Sequence, residues 1–552
     1  MADRIRSFAF GTIILPFLFL AMSGVASALP AIITVNTLSG EPAPGLCSLP
    51  DAIAAHNAPG TPFNACALGS GIDIIVFTVT GQITVDETLE VTSGTLFIEG
   101  PITGGPAGPP PAAGIAIDGG GSVQIIKADP GTSLTLANLT LSDGFGVDGG
   151  AIFANGTDLE IFFCLFRNNT AEPTLIAGGM GGAIFGNSNG AITIVNSTFA
   201  NNTAAHRGDP TVHNSGTDGF GGAIFYDTTS SVVKITNCTF SGNTADVGTY
   251  DGFPAASIKG TIFADNTAIL INANCNGTPV DLNFNISDDA SCAFSAASSL
   301  NNTNPLLLAL ANNGGPTETF ALETFPLTSP AINRIPVASC TDQTGAPLET
   351  DQRLFARPDA FNPATCDSGA YEAFSVAPYT LNSDRVQIAR STSPNADQVN
   401  IGITFTSNGD PDCDVDEDAL NAGIRLTLSG GTCSSMPATG LALSLNPFVV
   451  KTINGQSYGT LFQTFGSETV SARMVALHTP AGTCGEWTLN LQVAGLNTGA
   501  LGLGGTNPFS LILEDEQGEG ANCFNITNAI VGNQIVVPGH STRRGVHRQT
   551  RR

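Results

Sequence analysis

At 552 residues the chain is too long for one compact core, so two or more domains are expected. Charged residues make up only 12%, about half the usual share, and 42% are hydrophobic, which excludes a disordered chain. A formal net charge of −26 excludes steering towards nucleic acid or other anionic polymers.

The N-terminus reads as an export signal. Arg4 and Arg6 form a positive region, Phe8 to Met22 is an apolar run, and Ala26-Ser27-Ala28 offers an A-x-A cleavage site. The run is shorter than the ~20 residues of a spanning helix, so it predicts secretion or display at the cell surface with no transmembrane segment left after cleavage. Losing residues 1–28 removes two Arg and one Asp and leaves 18 basic against 45 acidic residues, a net −27. Five of those 18 crowd into the tail "STRRGVHRQTRR" (541–552), which reads as a disordered end.

Just after the signal, "CSLPDAIAAHN" predicts a short helix. Ser48 caps it with Asp51 three residues later, and Leu49, Ile53 and Ala54 give an apolar face. We read it as a lid, because an open solenoid end invites edge-to-edge aggregation. From Asp73 to Gly144 follow strands separated by turn residues: "DIIVFTV", "GQITVD", "TLFIEG", "IAIDGGGSVQIIKA" and "SLTLANLTLSDG".

Then the chain repeats itself. GGAIF begins at Gly149, Gly181 and Gly221, and F-x-x-N-T-A begins at Phe166, Phe199, Phe240 and Phe263. Units of 23, 24 and 25 residues are separated by connections of 9 (172–180) and 16 residues (205–220). A unit of near-constant length with insertions at one point marks a solenoid whose loops leave along one edge. Alternation in "AITIV" and "SVVKIT" makes the unit β. The expected fold is all-β: a right-handed parallel β-helix, with Phe stacked inside. Asn169, Asn202, Asn243 and Asn266 would form a ladder at one corner, in left-handed turns.

The twelve cysteines support export. Close neighbours pair as Cys47 with Cys66, Cys275 with Cys292, Cys340 with Cys366 and Cys413 with Cys433, leaving Cys484 and Cys523 as a fifth pair. Cys164 and Cys238 occupy one position two repeats apart, with Ser197 between. Strands stack ~4.8 Å apart, so their sulfurs lie about 10 Å apart and stay free thiols.

"CSLPDAIAAHN" with the strands after it resembles the CSLREA-type N-terminal motif of exported bacterial β-helix proteins, with Pro50 and Asp51 in place of Arg and Glu. "NPLLLALANNGGPTETFAL" (304–322), "TSPAIN", "TDQRLFARP" (350–358) and "CDSGAYE" (366–372) resemble the choice-of-anchor Q segment that closes such helices. The likeness covers roughly residues 35–375. The repeats are also similar to those of chlamydial polymorphic outer-membrane proteins. This resemblance implies a pectin-lyase-like right-handed β-helix, exported or surface-exposed, usually without assigned activity.

The expected layout is a signal peptide (1–28), the capped helix (29–300), the closing segment (301–375) and a further domain (376–540) before the tail. In that domain "QVNIGITFTS", "IRLTLSGG", "TVSARMVAL" and "WTLNLQVAG" predict an antiparallel β-sandwich.

Chemistry is sparse. A polysaccharide lyase needs acidic Ca²⁺ ligands beside a basic residue, and an inverting hydrolase needs carboxylates ~6.5–9.5 Å apart. The one adjacent Asp pair of the coil, Asp288-Asp289, falls in a loop beside Cys292. The inserted connection "AAHRGDPTVHNSGTDGF" gathers His206, Arg207, Asp209, His213 and Asp218, and the next connection adds Asp246, Tyr250 and Asp251, a set that on one edge could bind a metal or a glycan. Its Arg-Gly-Asp triplet is too short a signal to assign a partner. "NGDPDCDVDED" sets Asp410, Asp412, Asp414 and Asp416 at every second residue, a spacing that suits Ca²⁺. Val415 and Asn421 stand where an EF-hand needs Gly and Glu, which excludes that loop type. Calcium is the one cofactor the string admits, against the reading of a solvated acidic turn. The sequence favours a monomeric, non-enzymatic surface protein that presents loops for adhesion or glycan binding. A carbohydrate-active enzyme with its site on the β-helix flank is the alternative.

Overall fold

A computed structural model describes residues 30–373, apart from 102–113, 174–177, 188–189, 208–217, 228–231, 254–255, 272, 324–327 and 359–362. Between 380 and 532 it describes the backbone of eleven strands. The signal (1–28), the tail (541–552), Asp410–Asp416, Cys413, Cys433 and Cys484 lie outside the described residues, and Cys523 sits on a strand described by its backbone alone.

The fold is a parallel β-helix. One coil runs through Ile192–Val195, Thr198–Ala200 and Thr203–Ala204, then across the inserted connection to Ile224–Asp227. Stacked coils build four parallel faces of nine, eight, five and seven strands, in that order around the coil. Side chains alternate in and out along each strand, so register decides the core. Phe166, Phe199, Phe240 and Phe263 are cross-strand partners on the eight-stranded face. Their rings stack inside at 4.8, 4.6 and 4.7 Å, fully buried. Each such ring contributes about 2–3 kcal/mol by burial.

The repeated glycines have a steric cause. Gly149, Gly181 and Gly221 hold φ of +69°, +68° and +66°, a region costly for residues with a Cβ. At the second glycine the neighbouring coil is in the way: a Cβ on Gly182 would lie 2.0 Å from the Gly222 carbonyl oxygen.

The Asn ladder forms, but its backbone differs from the expectation. Asn169 donates from Nδ2 to Asn202 Oδ1 (2.9 Å), Asn202 to Asn243 (2.9 Å) and Asn243 to Asn266 (3.0 Å). The left-handed residue is the one before: Asn168, Asn201, Gly242 and Asp265, with φ of 56°, 55°, 71° and 56°. One residue turns the corner, and the next points its amide inward. Asn266 hands the ladder to Asn274, whose Nδ2 donates to Asp288 Oδ1 and Asp289 Oδ1. The adjacent Asp pair therefore terminates a buried hydrogen-bond column.

The lid is a helix, α1 (Leu49–Asn57), with Ser48 accepting from the Asp51 N–H. Its buried apolar face is Leu49, Ala52, Ile53 and Ala55; Ala54 is only half-buried, because the helix turns its 52–55–56 side to the core. His56 pins it, with Nδ1 2.7 Å from Asp73 Oδ2 and Nε2 2.8 Å from the Ser93 carbonyl.

Disulfides join Cys47–Cys66, Cys275–Cys292 and Cys340–Cys366, bonds of an oxidising compartment that put the chain outside the reducing cytoplasm. Cys164 and Cys238 are free and fully buried, and burial pushes both thiols up to about 12. Among the described residues no helix is long and apolar enough to cross a membrane.

Residues 304–373 form a strap that folds back along the eight-stranded face. Thr198 Oγ1 donates to Gln352 Oε1 (2.6 Å), Ala370 N to Thr239 Oγ1 (3.0 Å), and Lys259 Nζ to the Thr341 carbonyl (2.8 Å). Ile262, Ala264 and Ile286, which point outward from the coil, pack under Leu322, Ala331 and Tyr371 of the strap. Beyond it in the chain, two sheets of seven and four strands pair antiparallel except at one edge.

Candidate functional site at the inserted edge

Both long connections leave the coil between the five- and seven-stranded faces. The second starts after Thr203–Ala204 and returns at Phe220, which bridges Met180 and Val247 of the neighbouring coils. At its base three side chains converge. His206 Nδ1 lies 2.6 Å from Asp246 Oδ2 and 3.9 Å from Asp218 Oδ1. Side-chain exposures are 8%, 1% and 7%, so the cluster is buried at the root of the connection. The Gly219 N–H donates to Asp246 Oδ2 at 2.7 Å, fixing that carboxylate. Asp246 Oδ1 is buried and has no hydrogen-bond partner among the described residues. One ligand atom from each residue falls within 4.8 Å of the others.

This differs from the set expected on sequence. Arg207 is half-buried beside His206, whereas Asp209 and His213 lie outside the described residues. Asp246 belongs to a strand, Thr244–Val247, of the next coil rather than to a connection. Tyr250 is a core residue, 1% exposed, because the following strand Tyr250–Phe253 alternates it inward. Asp251 therefore faces outward, and its partial burial pushes its carboxyl up to about 6.

Around the cluster the seven-stranded face carries an outward column that sequence reading missed. Register aligns Glu90, Lys127, Phe153, Phe185, Phe225 and Asp251 on successive strands. The three rings stack at 5.3 and 5.6 Å, and Phe220 tilts against Phe225 at 6.3 Å, which joins the column to the return of the connection. Asn155, Asn187 and Asp227 form a parallel column two residues on. The GGAIF repeat itself was the signal: its Ile points in, so its Phe must point out.

A second polar group lies at the edge of the eight-stranded face, beside the first rung of the ladder. Asp118 pairs with Ser142 in register, and Ser142 with Arg167. Burial and the neighbouring Asp118 carboxylate hold the Asp143 carboxyl above the ordinary range. Arg167 is engaged by Glu318 of the strap at 2.6 Å.

No family model, no curated protein and no solved structure matches this sequence.

Proposed function

We propose that this is an exported, non-catalytic β-helix protein that presents its inserted edge to glycans or other cell-surface components. The observation that carries this reading is the position of the insertions. They leave at one corner, beside an outward column of rings, amides and carboxylates, while the eight-stranded flank is largely covered by the strap. Asn and Asp side chains next to aromatic edges supply the hydrogen-bonding and apolar contact that sugars take. The disulfides, the A-x-A site and the likeness to exported CSLREA-type β-helix proteins support display outside the cytoplasm.

The alternative is a carbohydrate-active enzyme, and one observation favours it: the Asp118–Asp143 pair, with one carboxyl raised, beside Arg167. Against it, carboxylates close enough to share a proton leave no room for a sugar between them, since glycosidases set theirs ~5–9.5 Å apart.

The test is retention of the protein on a panel of immobilised neutral and acidic polysaccharides, with new reducing or unsaturated ends measured in solution. Retention without new ends, weakened at least tenfold by Asp227→Ala with Asn187→Ala, is the expected result. New ends that vanish in Asp143→Asn would replace this reading with the enzyme.

A further inference from the structure

We infer that His206, Asp218 and Asp246 bind one divalent cation of the zinc class, which fastens the root of the inserted connection to the coil. This inference does not depend on what the edge contacts.

Charge is the first argument. Two nearly buried carboxylates face one imidazole, so the three groups together remain negative even with the ring protonated. Other buried carboxylates of the described residues, Glu372 excepted, carry donors on both oxygens. Asp73 takes Ser70, Gly71 and His56; Asp351 takes Arg353 and two backbone N–H groups; Asp367 takes the Asn333 and Ala373 N–H groups. Asp246 departs from that habit. Its Oδ1 is buried and has no donor among the described residues, although its Oδ2 is held by Gly219 and His206. A buried anionic oxygen without a donor is strongly unfavourable, and a cation resolves it.

Geometry is the second. Ligands bonded at ~2.0–2.2 Å to one ion lie roughly 3–4 Å from each other. The separations here are 2.6 and 3.9 Å, with all three atoms inside 4.8 Å, so side-chain adjustments below an ångström suffice. The donor set selects the ion. One imidazole nitrogen and two carboxylates suit zinc and its transition-metal neighbours, whereas Ca²⁺ and Mg²⁺ prefer oxygen ligands throughout, about six or more for Ca²⁺. Three protein ligands leave a fourth position open to water or to an oxygen of something bound at the edge.

Connectivity gives the ion its effect. His206 follows the strand at which the connection leaves, Asp218 stands where it returns, and Asp246 belongs to the next coil. One ion thus ties both ends of the connection to the rung beneath. The ion replaces the His206–Asp246 hydrogen bond of 2.6 Å and takes the ring nitrogen unprotonated, so protons compete with it for the site.

The experiment titrates zinc chloride into chelator-stripped full-length protein by calorimetry. Hydrogen exchange is then read by mass spectrometry with and without zinc. One zinc per chain is expected to protect peptides covering 203–207, 218–222 and 244–248. His206→Ala and Asp246→Asn should each weaken binding at least tenfold. Should either variant fail to fold, the exchange map of the unmodified protein decides. Absence of zinc uptake, unchanged affinity in folded variants, or protection confined to other segments such as 410–416 overturns the proposal. Stronger protection by calcium than by zinc at the same peptides overturns the choice of ion.

Discussion

Asn202 carries four hydrogen bonds through one buried amide. Its Oδ1 accepts from the backbone and side chain of Asn169, and its Nδ2 donates to the Phe166 carbonyl and to Asn243. Asn202→Ala would orphan groups on two rungs at once, and each buried orphan costs about 1–3 kcal/mol. We expect Asn202→Ala to lower stability by about 2–4 kcal/mol in urea unfolding, and Asn201→Gly, at the left-handed corner beside it, to change it by less than about 1 kcal/mol. The repeats made the ladder legible, and they also held its finer detail. In F-x-[N/G/D]-N the slot that varies among Asn168, Asn201, Gly242 and Asp265 is the left-handed one. A left-handed corner accepts any residue that tolerates positive φ. A buried amide column accepts only Asn, which both donates and accepts. Spacing alone does not separate two adjacent Asn residues that do different work.

At the scale of elements, the strap is held by buried charge. Arg353 lies between the Phe355 and Tyr371 rings, at 4.5 and 3.7 Å, and pairs with Asp351. Arg357 lies 3.3 Å from Glu372, with Asp367 close by. Three carboxylates thus share two guanidinium groups, and Glu372 Oε1 has no hydrogen-bond partner among the described residues. Burial, reinforced by Asp367 and Asp351, pushes the Glu372 carboxyl up to about 8 despite the opposing pull of Arg357. A carboxyl raised above its ordinary 4.5 adds stability in full only below pH 4.5, and that stability is lost as pH rises through about 8. The unfolding midpoint of the strap should therefore fall between pH 5 and about 9, with a much flatter profile in Glu372→Gln, read by thermal melts across pH. These residues lie in "TDQRLFARP" and "CDSGAYE", whose buried charges hold the clasp. Sequence reading could not place the strap on the flank, because its contacts reach back more than a hundred residues and follow no period. Sequence reading did gather Asp246 with His206 on one edge, but in a connection, whereas coil register sets it on a strand.

The whole molecule is nearly one-dimensional along the helix: each rung bonds to the one before and the one after. Thiols at Cys164 and Cys238 report on that stack, since their reactivity needs water at the centre of the coil. With both thiols held at about 12 and fully buried, native protein should resist labelling at these positions at pH 8. Peptide mapping should find both labelled together in denaturant, and labelling in native protein would show that the stack opens locally.

The corner between the five- and seven-stranded faces has one more consequence. Nine residues leave there in one coil and sixteen in the next, yet the strands on either side keep their pairing without a shift. Length and composition of the excursion are thus uncoupled from the rungs that hold it. The scaffold behaves as a rack with exchangeable fittings: a new fitting can be tried at that corner without renegotiating the hydrogen bonds of any shelf.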